Sequence, residues 1–385
     1  MFDHIVGYAE IKRHLKEDIK QGTIQTPLVF SGSPLSARMT MALELARLLH
    51  CDEHGAAACS CRRCVQHQLL RNQELYIIGE RSTLEDIHYF LKALANAQGT
   101  SAQAHGETIS TENHNKRRNT LKQMVMLRLA IFLKRFDTII LSKKRKSQVE
   151  TVYQQLFECL HTPLSDEFPI SLESIHRGVN SIAAYQTPDV ESIRLVQEQC
   201  YYRGSNKHKL VLIENLNTLS MTVMHTLLKF VEEPPESLHI IATAQERPRH
   251  AQNLASRFHW LYLSTRSDEE QKMVSTSYFG KEASSLQALL VDADTSTFVE
   301  QLCDSFFVEL DNQNGEFWRL MHTMDLKKSE EISLAILKKL PSKATGKYAP
   351  KLPALIRVCK ESLQNIHERN VSSRSAIEEV YQHVK

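Results

Sequence analysis

A chain of 385 residues is long for one domain and accommodates two or three. With 42% hydrophobic residues it can bury real cores, and a net charge of +2 excludes a protein that coats nucleic acid along its whole length. The longest apolar stretch, Met124 to Leu133, includes Arg128 and falls short of the roughly 20 residues a membrane span needs; Phe2-Asp3-His4-Ile5-Val6-Gly7 leads into a charged amphipathic pattern, so a soluble, cytoplasmic protein is expected.

In chain order, Ile11, Leu15 and Ile19 recur at i, i+4 and i+8, which predicts a first helix ending near Gly22. Pro27-Leu28-Val29-Phe30-Ser31 is a short apolar run stopped by Gly32, and helical spacing resumes from Met39 to Leu49. Strand, loop and helix in that order form the context of a phosphate-binding loop. Leu75-Tyr76-Ile77-Ile78, stopped by Gly79, predicts a second core strand.

From about residue 83 to 185 the alternation breaks off. An amphipathic stretch with Leu84, Ile87, Leu91 and Leu94 precedes a polar segment, Gln98 to Asn119, which is expected to be mobile. Helical spacing returns over Leu121–Leu141 and Val149–Leu160. The block carries Lys116-Arg117-Arg118 and Lys143-Lys144-Arg145-Lys146, and it reads as a helical and partly disordered insertion into the first domain.

A helix over Pro188–Cys200, a strand over Leu210–Ile213, a helix over Met221–Val231 and a strand over His239–Thr243 then complete an alternating α/β pattern. That pattern predicts a parallel sheet flanked by helices. After Leu263 the strand signals fade. Residues 1–265 therefore read as one α/β domain, residues 266–296 as a small helical unit, and residues 297–385 as an all-α domain with Leu355, Val358, Cys359, Leu363 and Ile366 at helical spacing.

A working phosphate loop, G-x-x-x-x-G-K-[ST], uses its second glycine to bring backbone N–H groups onto the phosphates, its lysine to reach the β and γ oxygens, and its hydroxyl to hold magnesium. Here Gly32-Ser33-Pro34-Leu35-Ser36-Ala37-Arg38-Met39 keeps the first glycine and places Ala37, Arg38 and Met39 at the other positions. Arg38 keeps a charge without the compact geometry of lysine, Met39 cannot ligate magnesium, and Thr40 offers a hydroxyl one residue out of register. In isolation the segment reads first as an ordinary strand-to-helix turn; only the motifs downstream favour a phosphate loop, and a degenerate one. The Leu210–Ile213 strand ends in Glu214-Asn215, where a magnesium-positioning strand ends in Asp-Glu. A lone glutamate at a strand end is expected to face solvent more often than to catalyse. Hydrolysis by this chain is not expected, nor is ATP binding.

Arg257, in Ser256-Arg257-Phe258, stands where an arginine can reach across a subunit interface to the γ-phosphate held by a neighbour, an effect worth about 10³ to 10⁵ in rate where such fingers occur. Its alternative is an ordinary solvated arginine. Cys51, Cys59, Cys61 and Cys64 offer four thiolates within a short span, as a tetrahedral structural zinc requires, with His50, His54 and His67 as possible substitutes. Free thiols remain the other reading. Cys159, Cys200, Cys303 and Cys359 are isolated and are expected to pack in cores. The basic runs at Lys116 and Lys143 read first as solvated helix faces and second as phosphate contacts.

Together these residues resemble the delta-prime group of the bacterial DNA polymerase III clamp loader, within the AAA+ proteins. The resemblance covers roughly residues 2–80 and 185–265. Phe2 to Gly7 resembles the opening segment beside the nucleotide pocket, Cys51 to Cys64 the zinc module, and Thr187 to Arg194 the stretch before the Walker B strand. Leu227-Leu228-Lys229-Phe230-Val231-Glu232-Glu233-Pro234-Pro235 resembles the L-L-K-x-L-E-E-P-P signature, Thr243 the sensor 1 residue, Ser256-Arg257-Phe258 the S-R-C motif, and Asn370-Val371 the last collar helix.

The resemblance implies an AAA+ sheet core with an inserted zinc module, a helical lid and an all-α collar. It implies a non-hydrolysing subunit that donates Arg257 to a neighbouring ATPase. Gly32, Arg38, Thr40 and Glu214 would then be vestiges of a nucleotide site. The implied partners are gamma/tau ATPase and delta subunits in a hetero-pentamer, with the sliding clamp and primer-template DNA reached through that complex and no membrane. Departures are Phe258 in place of Cys, a zinc spacing one residue short at the central pair, and the long segment after Gly79. An active gamma/tau-type ATPase and a DNA-binding AAA+-derived adaptor are the alternatives.

Overall fold

Five short apolar runs form parallel strands: β1 (Leu28–Gly32), β2 (Leu75–Gly79), β3 (Lys209–Glu214), β4 (Leu238–Ala244) and β5 (His259–Leu263). They make one sheet in the order β2-β3-β4-β1-β5, with every pairing parallel. This computed structural model describes residues 1–33, 35–53, 55, 59–68, 70–79, 82–99, 111–139, 141, 143–185, 188–202, 208–235, 237–248, 251–279, 293–312, 315–322, 336–337, 339–341, 343–344, 346–369 and 373–384.

Because the sheet is covered on both faces, its strands are almost wholly apolar. Side chains alternate between two cores. Leu28, Phe30, Leu75, Ile77, Leu210, Leu212 and Ile241 enter one, while Val29, Ile78, Val211, Ile213, Ile240 and Ala242 enter the other. The expected parallel α/β sheet is therefore present. The fifth strand, β5, was not anticipated; it lies at the sheet edge with Tyr262 exposed, so it lacks the continuous apolar run of a central strand.

The first core is roofed by α1 (Ala9–Gln21), α2 (Arg38–His50) and helices of the long segment after β2. A short helix, α3 (Arg62–Gln68), follows α2. The segment after β2 contributes α4 (Ser82–Gly99), α5 (Thr111–Lys134), a 3₁₀ turn over Arg135–Thr138, α6 (Lys143–Cys159) and α7 (Leu172–Ala183). Ile87, Leu94, Val125, Leu129, Leu156, Ile175 and Val179 from these helices join Phe30, Leu75 and Leu212 in one contiguous core, so the segment is built into the domain. Each such side chain, fully buried, is worth about 1.5–3 kcal/mol.

Two expectations are corrected here. The polar stretch expected to be mobile is helical from Thr111 through Asn119, because the apolar face that starts at Leu121 propagates the helix back through it; residues 100–110 lie outside the described residues. Helix α7 was also missed. Its apolar face is only Ile175, Val179 and Ile182, and its start is fixed by Ser171, whose hydroxyl accepts the backbone N–H of Ser174.

On the second face lie α8 (Val190–Tyr201), capped by Asp189 on the Ser192 N–H, α9 (Met221–Glu232), capped by Ser220, and the short α10 (Gln252–Ala255). After β5, α11 (Asp268–Val274) begins in a reciprocal capping box between Ser267 and Glu270.

The contacts gather into two compact units, Met1–Ala288 and Leu289–Lys385. Among the described residues the second unit is helical, with Ala293–Asn312, Glu316–His322, Leu352–Arg369 and Ser373–Val384. Phe306 meets Phe317 and Tyr381 edge to face at its centre, with Leu302, Leu355, Val358 and Ile377 around them. Asn370-Val371 lies outside the described residues. The four isolated cysteines, Cys159, Cys200, Cys303 and Cys359, are free and buried, as expected. No helix among the described residues is long and apolar enough to cross a membrane.

Candidate functional site

The loop after Gly32 joins the carboxyl end of β1 to the start of α2, where open α/β sheets place their ligands. Gly32 is required there by close approach: a Cβ on it would lie 2.4 Å from the Leu263 carbonyl oxygen and 2.7 Å from Ser36 Oγ. Ala37 stands in the left-handed region at φ 59°, ψ 21°, a conformation that glycine adopts freely and that costs an L-residue about 1–2 kcal/mol. Ala37 thus takes a left-handed turn at the position where a phosphate loop has its second glycine. Met39 packs against the first core, and Thr40, one residue on, is half-buried within α2.

Arg38 is drawn inward. Its Nη1 atom is buried without a hydrogen-bond partner, and burial pushes its guanidinium below the ordinary arginine value against the attraction of Glu214. Arg266, just beyond β5, closes the loop from the other side: Nη1 donates to the Leu35 carbonyl at 2.6 Å, Nε donates to the Val6 carbonyl at 3.1 Å, and the guanidinium lies over the Tyr8 ring at 5.0 Å. The opening segment is held in turn by the Phe2 N–H on Glu44 Oε1 at 3.1 Å.

Glu214, at the carboxyl end of β3, does not face solvent. It is buried and forms an ion pair with Arg135 Nη2, and Arg135 is itself only 1% exposed. The expectation of a solvent-facing glutamate is corrected by this partner, delivered by the 3₁₀ turn that ends α5. That turn is pinned to the edge of β2: Thr138 Oγ1 donates to the Ile77 carbonyl at 3.2 Å, and Lys134 Nζ donates to the Asn72 carbonyl at 2.9 Å and to Asp137 at 2.7 Å. Gly79 leaves room for it, since a Cβ there would sit 2.7 Å from Glu214 Cβ. Thr243, at the end of β4, is buried, and its hydroxyl accepts the Asn215 N–H at 2.9 Å, which fixes the left-handed residue that follows Glu214.

Gly32, Arg38, Glu214 and Thr243 are therefore gathered at one end of the sheet. Arg257 is not with them. It precedes β5, whose first residue, His259, lies beside Leu28 while its last, Leu263, lies beside Gly32. A parallel strand rises about 3.3 Å per residue, so the start of β5, two residues after Arg257, stands roughly 13 Å of strand from the loop. Its side chain is 47% exposed and forms an ion pair with Glu232 at the end of α9: Nη2 lies at 2.8 Å and Nε at 3.0 Å from Oε1. Phe258 beside it is buried in the second core.

The four thiols converge. The sulfurs of Cys51, Cys59, Cys61 and Cys64 all lie within 4.8 Å of one another, with Cys51 and Cys59 at 3.6 Å. Tetrahedral zinc with Zn–S near 2.3 Å sets its sulfurs about 3.8 Å apart, so the set fits a closed four-thiolate ion. Backbone N–H groups of Gly55 and Glu53 point at Cys51 Sγ, that of Cys64 points at Cys61 Sγ, and Arg47 Nη1 lies 3.1 Å from Cys64 Sγ. Burial opposes it, yet the N–H groups of Cys64 and Asp52 bring the Cys61 thiol down to about 7. The one-residue contraction of the spacing is absorbed without separating the donors. His50 and His67 bond to each other at 2.7 Å and to Asn72, and are not needed as ligands; His54 lies outside the described residues. Such an ion would have no open coordination position and would hold the loop between α2 and α3.

Residues 7–124 and 170–267, more than half of the chain, match the protein family described as DNA polymerase III, delta subunit. The chain belongs to that clamp-loader family. The parallel five-stranded sheet agrees with an AAA+ clamp-loader fold. A gamma-subunit-related protein of DNA polymerase III from Thermotoga maritima superposes with a TM-score of 0.31 at 14% identity, over 51% of this chain and 78% of that one. No curated protein matches.

Membership narrows what is foreign in the long segment after β2. The delta-family match runs through residue 124 and resumes at 170, so residues 125–169, with the end of α5, the 3₁₀ turn and α6, fall outside it. Arg135 belongs to that part. Sequence reasoning missed Arg135 and Arg266, and met Glu232 only as a letter of the E-E-P-P signature. For Arg135 a signal existed: a charge set among Ile131, Phe132, Leu133 and Phe136 needs a buried counter-charge. Arg266 had none, since its role comes from chain segments remote in sequence; Glu232 stood in the signature, but its pairing with Arg257, 25 residues on, did not show there.

Proposed function

We propose that this chain is a non-hydrolysing clamp-loader subunit of the delta-prime type, which supports ATP-dependent loading of a sliding clamp onto primer-template DNA and lends Arg257 to a neighbouring ATPase. In this reading its partners are gamma/tau ATPase and delta subunits in a hetero-pentamer. Residues 1–265 form the AAA+ core, 266–296 the lid, and 297–385 the collar that joins the ring. Zinc at Cys51, Cys59, Cys61 and Cys64 is structural.

The observation that carries the reading is the separation of the two chemistries. At the carboxyl end of the sheet Glu214 is neutralised by Arg135, one nitrogen of Arg38 is buried, and Met39, at the position of the magnesium-holding hydroxyl, is packed in the core. At the opposite end Arg257 is half exposed, out of reach of its own loop. An arginine so placed can neutralise a γ-phosphate only in another subunit. Titration of magnesium-ATP into the isolated chain, followed by heat, tests the first half: no saturable binding is expected, and micromolar affinity with phosphate release would contradict it.

A further inference from the structure

The geometry points to Glu232 as the residue that positions Arg257 for its neighbour's phosphate, an inference that rests on the finger reading above. An arginine arm that is half exposed is mobile unless something holds it, and a catalytic guanidinium works best when its orientation is fixed before the transition state arrives. Here all three nitrogens are engaged. Nε donates to Glu232 Oε1 at 3.0 Å, Nη2 lies 2.8 Å from the same oxygen as an ion pair, and Nη1 donates to Ser256 Oγ at 3.0 Å. A guanidinium carries five N–H donors, so these contacts leave N–H groups on both terminal nitrogens for an incoming anion.

The anchor itself is rigid. Glu232 is the last residue of α9, whose Leu227, Phe230 and Val231 are buried in the second core, and the next residue, Glu233, takes the Tyr201 hydroxyl on its carbonyl at 3.0 Å. The finger is thereby tied to a core helix through the glutamate. Glu232 makes no contact with nucleotide in its own chain, because the degenerate loop occupies the far end of the sheet. It acts through Arg257 and is a positioning residue.

The test uses the complete complex assembled with its ATPase neighbours, clamp and primed DNA, and carrying Glu232→Gln, Arg257→Ala or both in this chain. Glu232→Gln keeps the shape and removes the charge. It is expected to lower kcat for ATP by about two- to fivefold, as the loss of one half-exposed pair implies, with KM and the thermal midpoint of the chain unchanged. In the Arg257→Ala background Glu232→Gln is expected to do nothing further, since it has no guanidinium left to orient. The inference is overturned if Glu232→Gln equals or exceeds the parent rate while Arg257→Ala is depressed, or if Glu232→Gln lowers kcat by the same factor with Arg257 absent, which marks a merely structural role. Parent activity in Arg257→Ala removes the finger reading itself, a separate result.

Discussion

Removing either member of the Arg135–Glu214 pair, then both, tests how the carboxylate at the end of β3 is neutralised. Arg135 is 1% exposed and the Glu214 side chain 10%, so neither charge has water to fall back on. Breaking a buried pair by deleting one partner costs about 3–5 kcal/mol, whereas replacing both by neutral groups of similar volume is close to neutral. The two deletions should not be equal. Arg135→Met leaves Glu214 still attracted to Arg38, so its cost belongs near 3 kcal/mol; Glu214→Gln removes the carboxylate that Arg38 and Arg135 both face, so its cost belongs near 5 kcal/mol. The double variant should recover at least about 2 kcal/mol of the summed single losses. Urea denaturation reads this directly, with Trp318→Phe as the background so that Trp260 reports the first unit alone, those two being the chain's only tryptophans. Singles within about 0.5 kcal/mol of the parent, or a double loss equal to the sum of the singles, would refute the reasoning.

Elemental analysis of the purified chain is expected to give one zinc, lost in Cys61→Ser together with protease resistance across residues 51–64; a metal-free protein that keeps that resistance contradicts the site. Acid stability has a defined sign at His239. Burial, and then His208, hold its imidazole down to about 4, below the ordinary value of about 6.5. Between those values the unfolded chain takes up a proton that the folded chain refuses. Stability contributed by His239 is therefore full above about pH 6.5 and falls toward pH 4, by up to about 1.4 kcal/mol per unit. His239→Gln should flatten the slope of unfolding free energy with pH in that window, and an unchanged slope contradicts the assignment.

Much of the core architecture could be read from periodicity. Runs such as Leu210–Ile213 and His239–Thr243 are apolar on both faces because helices cover both sides of the sheet, and that shows in one dimension. Edge strand β5 could not, since His259 and Tyr262 break the run where one side of the strand is open. The long segment after β2 was legible as helices but not as core: nothing local says that Val125, Leu129 and Ile175 pack with Phe30 and Leu212. The loop's defects at Ala37, Arg38 and Met39 were visible as letters. The burial of Glu214 depended on Arg135 arriving from about a hundred residues after the loop, a pairing that local spacing does not encode.

The most direct measurement of the central claim is steady-state ATPase of the reconstituted clamp-loading complex with Arg257→Ala in this chain alone. A guanidinium acting in trans predicts intact assembly and a fall of about 10³-fold or more at the neighbouring site. An unchanged rate at that site, with the complex fully assembled, would contradict the account.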